Sequence, residues 1–201
     1  MNIKILFLDD DQKLKEDSIS WELKDKFGED NVIHITSASE GLGFIKNNLE
    51  SNLIVLLDIQ FPKNEMDGHQ LLSEIKDISQ LIPVILFSGV DENDESFSDF
   101  INNHAFGFIS KTATSEEILT KIDEAVSHLK SSLDNTIEDW IIAKEEDKDK
   151  PVYFTADGKS YSLNQILTEI RNQTEVGKAF SQRLNQLTID LLLRNKERLD
   201  G

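Results

Sequence analysis

Ile3-Lys4-Ile5-Leu6-Phe7-Leu8-Asp9-Asp10 is a short apolar run that ends in two acidic residues. A run of this length is too short for a helix and is typical of a strand buried in a sheet. The run ends at the acidic residue Asp9, whereas a signal peptide ends at a cleavage site of small residues. We therefore interpret the run as a strand and not as a signal peptide. With no export signal in the sequence, we expect a cytoplasmic protein.

Four further apolar runs follow the first one, and segments with helical spacing separate them. The runs cover residues 32–35, 53–57, 83–87 and 106–109. The segments in which apolar residues recur three or four apart cover residues 14–27, 38–49, 69–78, 97–103 and 116–133. Parallel strands need crossover connections, so this alternation predicts an α/β fold with a doubly wound, five-stranded parallel sheet. In such a sheet the functional site lies at the carboxyl ends of the strands.

Composition and charge exclude several classes of protein. The 201 residues include no cysteine, which excludes disulfides and thiolate sites. No apolar stretch approaches the ~20 residues that a membrane-spanning helix needs, so we expect no membrane partner. The net charge is −17, of which −14 belongs to residues 1–130, with eleven Lys or Arg against twenty-five Asp or Glu. Such an acidic surface repels phosphate backbones, so any DNA contact would have to come from the C-terminal part.

The C-terminal third predicts a second, smaller part of the molecule. Apolar residues at heptad spacing from Leu119 to Trp140 predict that the last helix of the first part runs on towards residue 140. The charged residues 143–150 precede Pro151 and are typical of a linker with a domain boundary. We therefore expect three parts, which cover residues 1–127, an extended helix and linker over 128–150, and a small module over 151–201.

The last 51 residues predict an α+β appendage that consists of a hairpin and two helices. Asp157-Gly158 stands between strand-like runs, which is a strong hairpin signal. Ser162 offers an N-cap to one amphipathic helix, and Val176 opens the apolar face of a second. A unit of this size buries little apolar surface, so we expect it to pack on the first part or on a second copy of itself.

Five polar residues stand at the carboxyl ends of the predicted strands. Asp9 and Asp10 follow the first strand, Asp58 the third, Ser88 the fourth and Lys111 the fifth. The fold would bring all five together at one edge of the sheet. Carboxylates that meet at one edge repel each other, and a hard divalent cation with oxygen ligands relieves this repulsion. The set therefore predicts a site for Mg²⁺.

This arrangement resembles the receiver domain of bacterial response regulators in two-component systems, over residues 1 to about 127. The resemblance implies that Asp58 is the phosphoacceptor and that a sensor histidine kinase or a phosphotransfer protein donates the phosphoryl group. It also implies that Asp9 and Asp10 hold Mg²⁺ together with Asp58 and the backbone carbonyl of Gln60. A protein of this kind is a signalling phosphoprotein, and auto-dephosphorylation is the most catalysis that we expect of it.

The resemblance also assigns roles to the ends of the fourth and fifth strands. Ser88 and Lys111 would bind the phosphoryl oxygens, and Phe108 would act as an aromatic switch. Two departures from the family pattern accompany these matches. The loop over residues 61–67 is two residues longer than usual, and Thr112 follows Lys111 where the family usually has proline, often in a cis peptide bond.

Three functions are compatible with the sequence. The leading hypothesis is a response regulator that signals through protein contacts of its C-terminal region, with an unknown protein effector or with a second copy as a homodimer. A DNA-binding transcriptional regulator is the second, although its candidate helix over residues 182–198 carries only four basic residues. A haloacid-dehalogenase-like Mg²⁺ phosphatase is the third. That family has a second Asp two residues after its nucleophile. Asp58 with Gln60 and Asp10 with Gln12 do not supply this pair, and Asp9 with Asp11 does so only by spacing.

Overall fold

The computed structural model describes residues 3–60, 66–89, 105–145 and 147–199, with side chains up to residue 193. The chain divides into two compact units, the first ending at Ser131 and the second beginning at Ser132. The predicted helical segment 97–103 and most of the longer loop 61–67 lie outside the described residues. No helix in the described part of the chain combines the length and the apolar composition that crossing a bilayer requires.

The first unit is built on a five-stranded parallel sheet, as the sequence predicts. Its strands are β1 (Ile3–Leu8), β2 (Val32–Ile35), β3 (Asn52–Leu57), β4 (Val84–Ser88) and β5 (Gly107–Ser110). They lie in the order β2-β1-β3-β4-β5, and every neighbouring pair is parallel. The strand order reverses direction between β1 and β3, so the carboxyl ends of these two strands form the switch point where ligands bind in sheets of this kind.

Helices cover both faces of this sheet. The described ones are α1 (Ser18–Phe27), α2 (Ala38–Asn47), α3 (Gly68–Ile78) and α4 (Ser115–Ser131). Alternate residues of each strand enter two separate apolar cores. Ile5 and Phe7 pack with α1 and α4, whereas Leu6 and Leu8 pack with α2 and α3. Since successive side chains of a strand point to opposite faces, burial of both faces explains why these strands are apolar throughout.

The last helix of the first unit ends earlier than the sequence predicts. Instead of one helix that runs towards residue 140, α4 ends at Ser131 and α5 (Leu133–Ala143) begins after Ser132. Ser132 has extended backbone angles, and its side chain accepts a hydrogen bond from the Asn135 N–H at 3.5 Å. Serine competes for backbone hydrogen bonds and favours a cap over a helix interior, so the apolar spacing across this point does not produce a continuous helix.

The second unit contains the predicted hairpin and helices. Its elements are the antiparallel strands β6 (Pro151–Phe154) and β7 (Ser160–Ser162), then α6 (Leu163–Arg171) and α7 (Glu175–Leu199). Gly158 lies in the hairpin turn with a φ of 85°, a conformation that favours glycine. Ser162 caps α6 in a capping box with Gln165. Tyr153 of the hairpin packs edge-on against Phe180 of α7, with ring centroids 5.2 Å apart.

The charged segment before the hairpin is tied to the second unit. The Lys148 carbonyl accepts the Asn164 N–H at 3.2 Å, and the Asn164 side chain donates to Asp149 at 2.8 Å. The linker expected over residues 143–150 therefore lies within the second unit. The chain divides before this segment, at the break between α4 and α5.

Candidate functional site

The carboxyl edge of the sheet brings the predicted acidic residues together. Asp9 and Asp10 directly follow β1, and Asp58 directly follows its neighbour β3. Each of the three side chains offers a carboxylate oxygen within 4.8 Å of the others. Asp9 and Asp58 are buried, and Asp10 is exposed. The site is thus an anionic group that is buried on one side and open to solvent on the other.

Asp9 has one oxygen that is held by hydrogen bonds and one that is not. Its Oδ1 accepts the Asp11 N–H at 2.9 Å. Its Oδ2 is buried and has no hydrogen-bond partner among the residues that the structure describes. It forms an ion pair with Lys111, whose Nζ lies 2.7 Å away. Burial is the main influence on the Asp9 carboxyl and raises its pKa, with the charge of Asp58 adding to it and Lys111 and Asp11 opposing it.

Asp58 is held at both carboxylate oxygens. Its Oδ1 accepts the Gln60 N–H at 3.0 Å, and its Oδ2 accepts a hydrogen bond from Lys111 Nζ at 2.9 Å. Its own N–H donates to the Leu8 carbonyl at 2.9 Å, which continues the pairing of β1 and β3 by one residue. The carboxylate is thereby fixed in direction, which favours its reaction with a group that approaches in line.

Lys111 reaches the acidic group from the end of β5. Its backbone N–H donates to the Ser88 carbonyl at 2.9 Å, which extends the pairing of β4 and β5. Its ammonium lies between Asp9 and Asp58, and 27% of the lysine side chain is exposed. Burial alone would lower the pKa of this lysine, but its contacts with Asp58 and Asp9 outweigh burial and raise the pKa. Lys111 is therefore a charged group that neutralises part of the acidic site.

The acidic group fits a hard divalent cation. Asp9 Oδ2 is a buried acceptor that receives no hydrogen bond from the described part of the chain, and Asp10 adds an exposed carboxylate close to it. Carboxylate oxygens suit Mg²⁺, which usually keeps several of its waters, and the solvent-exposed side of the group leaves room for them. A cation here would also offset the burial that raises the pKa of Asp9. The residues present thus fit Mg²⁺.

The loop after Asp58 is positioned by close packing against α3. Gln60 is exposed, and its N–H is the donor to Asp58. Asp67 caps α3 through a capping box, as its place before a helical segment indicates. At Gly68, an added Cβ would lie 2.7 Å from the Ile59 Cα and 2.8 Å from the Ile59 carbonyl oxygen. Only glycine lets α3 approach the backbone beside Asp58 this closely.

Ser88 and Phe108 lie on the neighbouring strands β4 and β5. Ser88 is fully buried at the end of β4 and pairs in register with Ser110. Phe108 is half-buried and packs against the core that α2 and α3 cover. A cavity of about 440 Å³ adjoins Phe108 and is also lined by Thr112 and Lys121.

The turn around Lys111 contains contacts that the sequence analysis did not predict. The Thr112 N–H donates to Ser110 Oγ at 3.1 Å, and the two hydroxyl oxygens lie 2.7 Å apart. A proline at position 112 would have no N–H for this bond, and the bond between Lys111 and Thr112 is trans. The signal was the Ser-Lys-Thr sequence itself, because hydroxyl residues in turns often bond to nearby backbone groups.

Comparisons with known proteins place the first unit in a family. Residues 5–123 match the family described as "Response regulator receiver domain". A CheY-like response regulator receiver domain protein from Methanospirillum hungatei JF-1 is 29% identical with a TM-score of 0.55, and the match covers 66% of this chain and 100% of that one. The receiver domain of NtrX from Brucella abortus is 28% identical with a TM-score of 0.53, over 64% of this chain and 100% of that one.

The family model that matches the chain does not extend into the second unit. A longer NtrX structure from Brucella abortus is 26% identical with a TM-score of 0.55, over 67% of this chain and 34% of that one. The family match ends at residue 123, before the second unit begins. A search of curated proteins gives no match. The family match thus falls within the first unit.

Proposed function

Because the chain belongs to the response regulator receiver domain family, we propose that it is a phosphoacceptor of a two-component phosphorelay. Asp58 accepts the phosphoryl group from a sensor histidine kinase or a phosphotransfer protein, and Mg²⁺ is the cofactor. The signal then passes through protein–protein contacts of the second unit. The observation that carries this proposal is the meeting of Asp9, Asp10, Asp58 and Lys111 at one edge of the sheet.

Transfer to Asp58 depends on positioning and charge neutralisation more than on covalent help from other residues. A carboxylate oxygen of Asp58 attacks the phosphorus of a phosphohistidine, and the bond between phosphorus and the ring nitrogen breaks. The leaving nitrogen keeps the bonding electron pair, and the ring takes up a proton to end as neutral imidazole. The Gln60 N–H and the Lys111 ammonium keep the carboxylate oriented for this attack.

Asp9, Asp10, Asp58 and the backbone carbonyl of Gln60 would hold the Mg²⁺ ion. When bound, the ion supplies positive charge to the oxygens of the phosphoryl group. Asp9 Oδ2 is the clearest candidate ligand, because it is buried and no described residue donates a hydrogen bond to it. Asp10 is exposed, so its carboxylate would approach the ion from the solvent side.

Lys111 and Ser88 are the proposed contacts of the transferred group. An acyl phosphate carries about two negative charges, which would draw the Lys111 ammonium from Asp9 towards the phosphoryl oxygens. The Ser88 hydroxyl, at the end of β4, would donate to another of these oxygens. Phe108 is the proposed switch, as the resemblance to the receiver family implies; it lies in β5 and is one of the residues that line a pocket there. A movement of its ring would shift the population between two packings of this face.

The second unit supplies the proposed output surface. Four leucines of α7 are each more than half exposed, namely Leu187, Leu191, Leu192 and Leu193. An exposed apolar group of this kind is typical of a surface that another molecule covers. The partner is an effector protein or a second copy of this chain.

Labelling with acetyl phosphate tests whether Asp58 accepts a phosphoryl group, which is the first half of the proposal. We expect wild-type protein with Mg²⁺ to gain a single phosphoryl group by intact-mass measurement, whereas Asp58→Asn gains none. Asp11→Asn is the matched control, because Asp11 lies beside the acidic group and asparagine can keep its capping role. Equal labelling of wild type and Asp58→Asn would contradict the proposal.

Light scattering with and without beryllofluoride, a mimic of the acyl phosphate, tests the second half. If the partner is a second copy, the mimic changes the average mass of the wild type, and Leu191→Asp removes this change. Gln186→Asp is the matched control, because it introduces the same charge at an exposed polar position of α7. A mass that the mimic leaves unchanged excludes self-association as the output and leaves an effector protein as the partner.

A further inference from the structure

The turn that carries Lys111 is closed by two hydroxyl side chains. Ser110 Oγ accepts the Thr112 N–H at 3.1 Å, and Thr112 Oγ1 lies 2.7 Å from the same oxygen. The Ser110 carbonyl accepts the Ala113 N–H at 3.0 Å, and the Lys111 N–H donates to the Ser88 carbonyl at 2.9 Å. Hydrogen bonds thus fix the backbone on both sides of the lysine.

From this geometry we propose that Ser110 and Thr112 are positioning residues for Lys111. They hold the turn so that the lysine side chain leaves the backbone towards Asp9 and Asp58. Both act through Lys111 and are assigned no contact with a phosphoryl group or a cation. The proposal rests on the proposed function of the site, because the direction of Lys111 matters to the reaction only if the lysine serves the phosphoryl group.

Lys111 needs such support because its side chain is long and flexible. The ammonium sits on a four-carbon stem, so a small rotation of the backbone moves it far. It has to meet carboxylate oxygens of Asp9 and Asp58 at 2.7 and 2.9 Å. A misplacement of about 1 Å near reacting atoms can cost about a hundredfold in rate. The direction of the backbone at residue 111 therefore bears on the reaction.

The two hydroxyl groups serve neither the core nor the next helix. Thr112 is exposed and Ser110 is half-buried. Helix α4 is started by another pair, since the Glu117 N–H donates to Thr114 Oγ1 and the Thr114 N–H donates to the Glu117 carboxylate. A proline at position 112 would restrict the turn with its ring, whereas threonine supplies an N–H that bonds to Ser110. Fixing the turn is the role that these contacts support.

Substitutions in this turn separate positioning from stability. Ser110→Ala removes the acceptor of the Thr112 N–H, and Thr112→Val removes only the second hydroxyl. Thr112→Ser keeps both the N–H and a hydroxyl, so it should restore wild-type behaviour. Thr114→Val is the matched control, because it removes from the same loop a hydroxyl that caps α4 and that bonds to Glu117.

Two measurements are made on each variant: the rate of labelling by acetyl phosphate at saturating Mg²⁺, and the affinity for Mg²⁺ by calorimetry without a phosphodonor. We expect Ser110→Ala to label about tenfold more slowly and Thr112→Val about threefold, since a misdirected lysine meets the phosphoryl group less often. Mg²⁺ should bind about threefold more tightly to Ser110→Ala, because a lysine that leaves Asp9 and Asp58 no longer competes for their oxygens. Thr112→Ser and Thr114→Val should match the wild type in both measurements.

Slower labelling together with tighter Mg²⁺ binding is the result that identifies Ser110 and Thr112 as positioning residues. Disruption of the site would weaken Mg²⁺ binding together with labelling, and that result overturns the proposal. Wild-type values of both quantities in Ser110→Ala overturn it as well. If wild-type protein takes no label, the proposed function fails, and Mg²⁺ affinity still tests whether Ser110 directs Lys111. In that case the Mg²⁺ affinity of Lys111→Ala gives the reference value for a site in which no lysine competes with the ion.

Discussion

The ammonium of Lys111 lies 2.7 Å from Asp9 Oδ2, a buried oxygen that accepts no hydrogen bond from the residues that the structure describes. The lysine supplies positive charge to a carboxylate whose pKa is raised mainly by burial. The same oxygen is a proposed Mg²⁺ ligand, so the lysine and the ion would compete for it. This relationship predicts that removing the lysine has opposite effects on ion binding and on phosphoryl transfer.

Lys111→Ala should therefore bind Mg²⁺ more tightly while it accepts a phosphoryl group more slowly. A partly exposed ion pair contributes on the order of 1 kcal/mol, which corresponds to a roughly fivefold lower dissociation constant for Mg²⁺. Labelling by acetyl phosphate should slow by at least about tenfold, because a charge that stabilises the transferring group is lost. Calorimetry and intact-mass kinetics measure the two quantities.

Lys121→Ala is the matched control for this substitution. Lys121 pairs with Glu124 of the same helix at 2.6 Å, and its charge lies outside the acidic group. We expect both quantities to stay at their wild-type values in this variant. Weaker binding of Mg²⁺ to Lys111→Ala would show that the lysine supports the ion and does not compete with it.

Gly68→Ala should impair the site, although Gly68 is not one of its proposed ligands or reacting groups. The added methyl group would meet the Ile59 backbone at 2.7 and 2.8 Å, and backbone atoms cannot move aside as a flexible side chain can. Overpacking of this kind costs about 2 kcal/mol in the free energy of unfolding. The shifted loop would also misdirect the neighbouring Asp58, so labelling by acetyl phosphate should slow by about tenfold. Urea unfolding and labelling kinetics test both effects.

Gly43→Ala provides the control for the same chemical change. Gly43 lies in α2, and among the described residues an added Cβ there would meet no atom within 4 Å beyond its chain neighbours and the backbone of its own helix. Alanine favours a helix interior over glycine by about 0.5 to 1 kcal/mol, so this variant should become more stable. Its labelling should match the wild type. Equal behaviour of the two alanine variants would contradict the role assigned to Gly68.

The sequence was sufficient to predict the sheet and the residues at its edge. Strands buried on both faces appear as unbroken apolar runs, and Asp9, Asp58 and Lys111 each follow such a run, which places them at the carboxyl edge of the sheet. Contacts within that edge could not be predicted, because they depend on side-chain directions and turn geometry. The 2.7 Å approach of Lys111 to Asp9 and the bond from Thr112 to Ser110 are of this kind.

The break between α4 and α5 was missed for an energetic reason. Apolar spacing continues from Leu129 to Leu133 across the break, so periodicity predicts one helix. A capping residue contributes only about 1 kcal/mol, which a pattern of apolar residues does not reveal. Ser132 decides the local conformation, because its side chain caps the helix that begins at the next residue.

His34 predicts how the stability of the first unit depends on pH. Its ring stacks on Phe7 with centroids 4.4 Å apart and lies 3.1 Å from the Ser20 hydroxyl. Burial, followed by the charges of Lys24 and Lys15, lowers the pKa of His34 from 6.5 to about 4. The unfolded chain therefore binds the proton more readily. The contribution of His34 to stability should be complete above about pH 6.5 and should be lost as the pH falls from there towards 4.

Urea unfolding at about pH 7.5 and about pH 5 tests this pH dependence. Wild-type protein should lose more stability between these pH values than His34→Gln, which cannot take up the proton. The Asp9 carboxyl has a raised pKa and acts in the opposite direction, but it is common to both proteins and does not affect their difference. In Lys24→Gln the pKa of His34 should be lowered less, because one of the charges that lower it is gone. This variant should therefore also lose less stability than the wild type between the two pH values, but the difference should be smaller than for His34→Gln. Identical losses in wild type and His34→Gln would contradict the prediction.

Asp134→Ala should destabilise the second unit and leave the first unchanged. Asp134 joins three of its segments, because Oδ1 accepts the Ser181 hydroxyl at 2.6 Å and Oδ2 accepts the Gln173 amide at 2.8 Å. Ser181 is buried, so removing the carboxylate leaves its hydroxyl without this partner and should cost about 2 kcal/mol. Hydrogen exchange should then quicken in α6 and α7 and keep its rate in the parallel sheet.

Asp190→Ala, at an exposed position of α7, should leave exchange as in the wild type. Exchange that quickens equally in both units, or in neither, would show that Asp134 does not hold the second unit together.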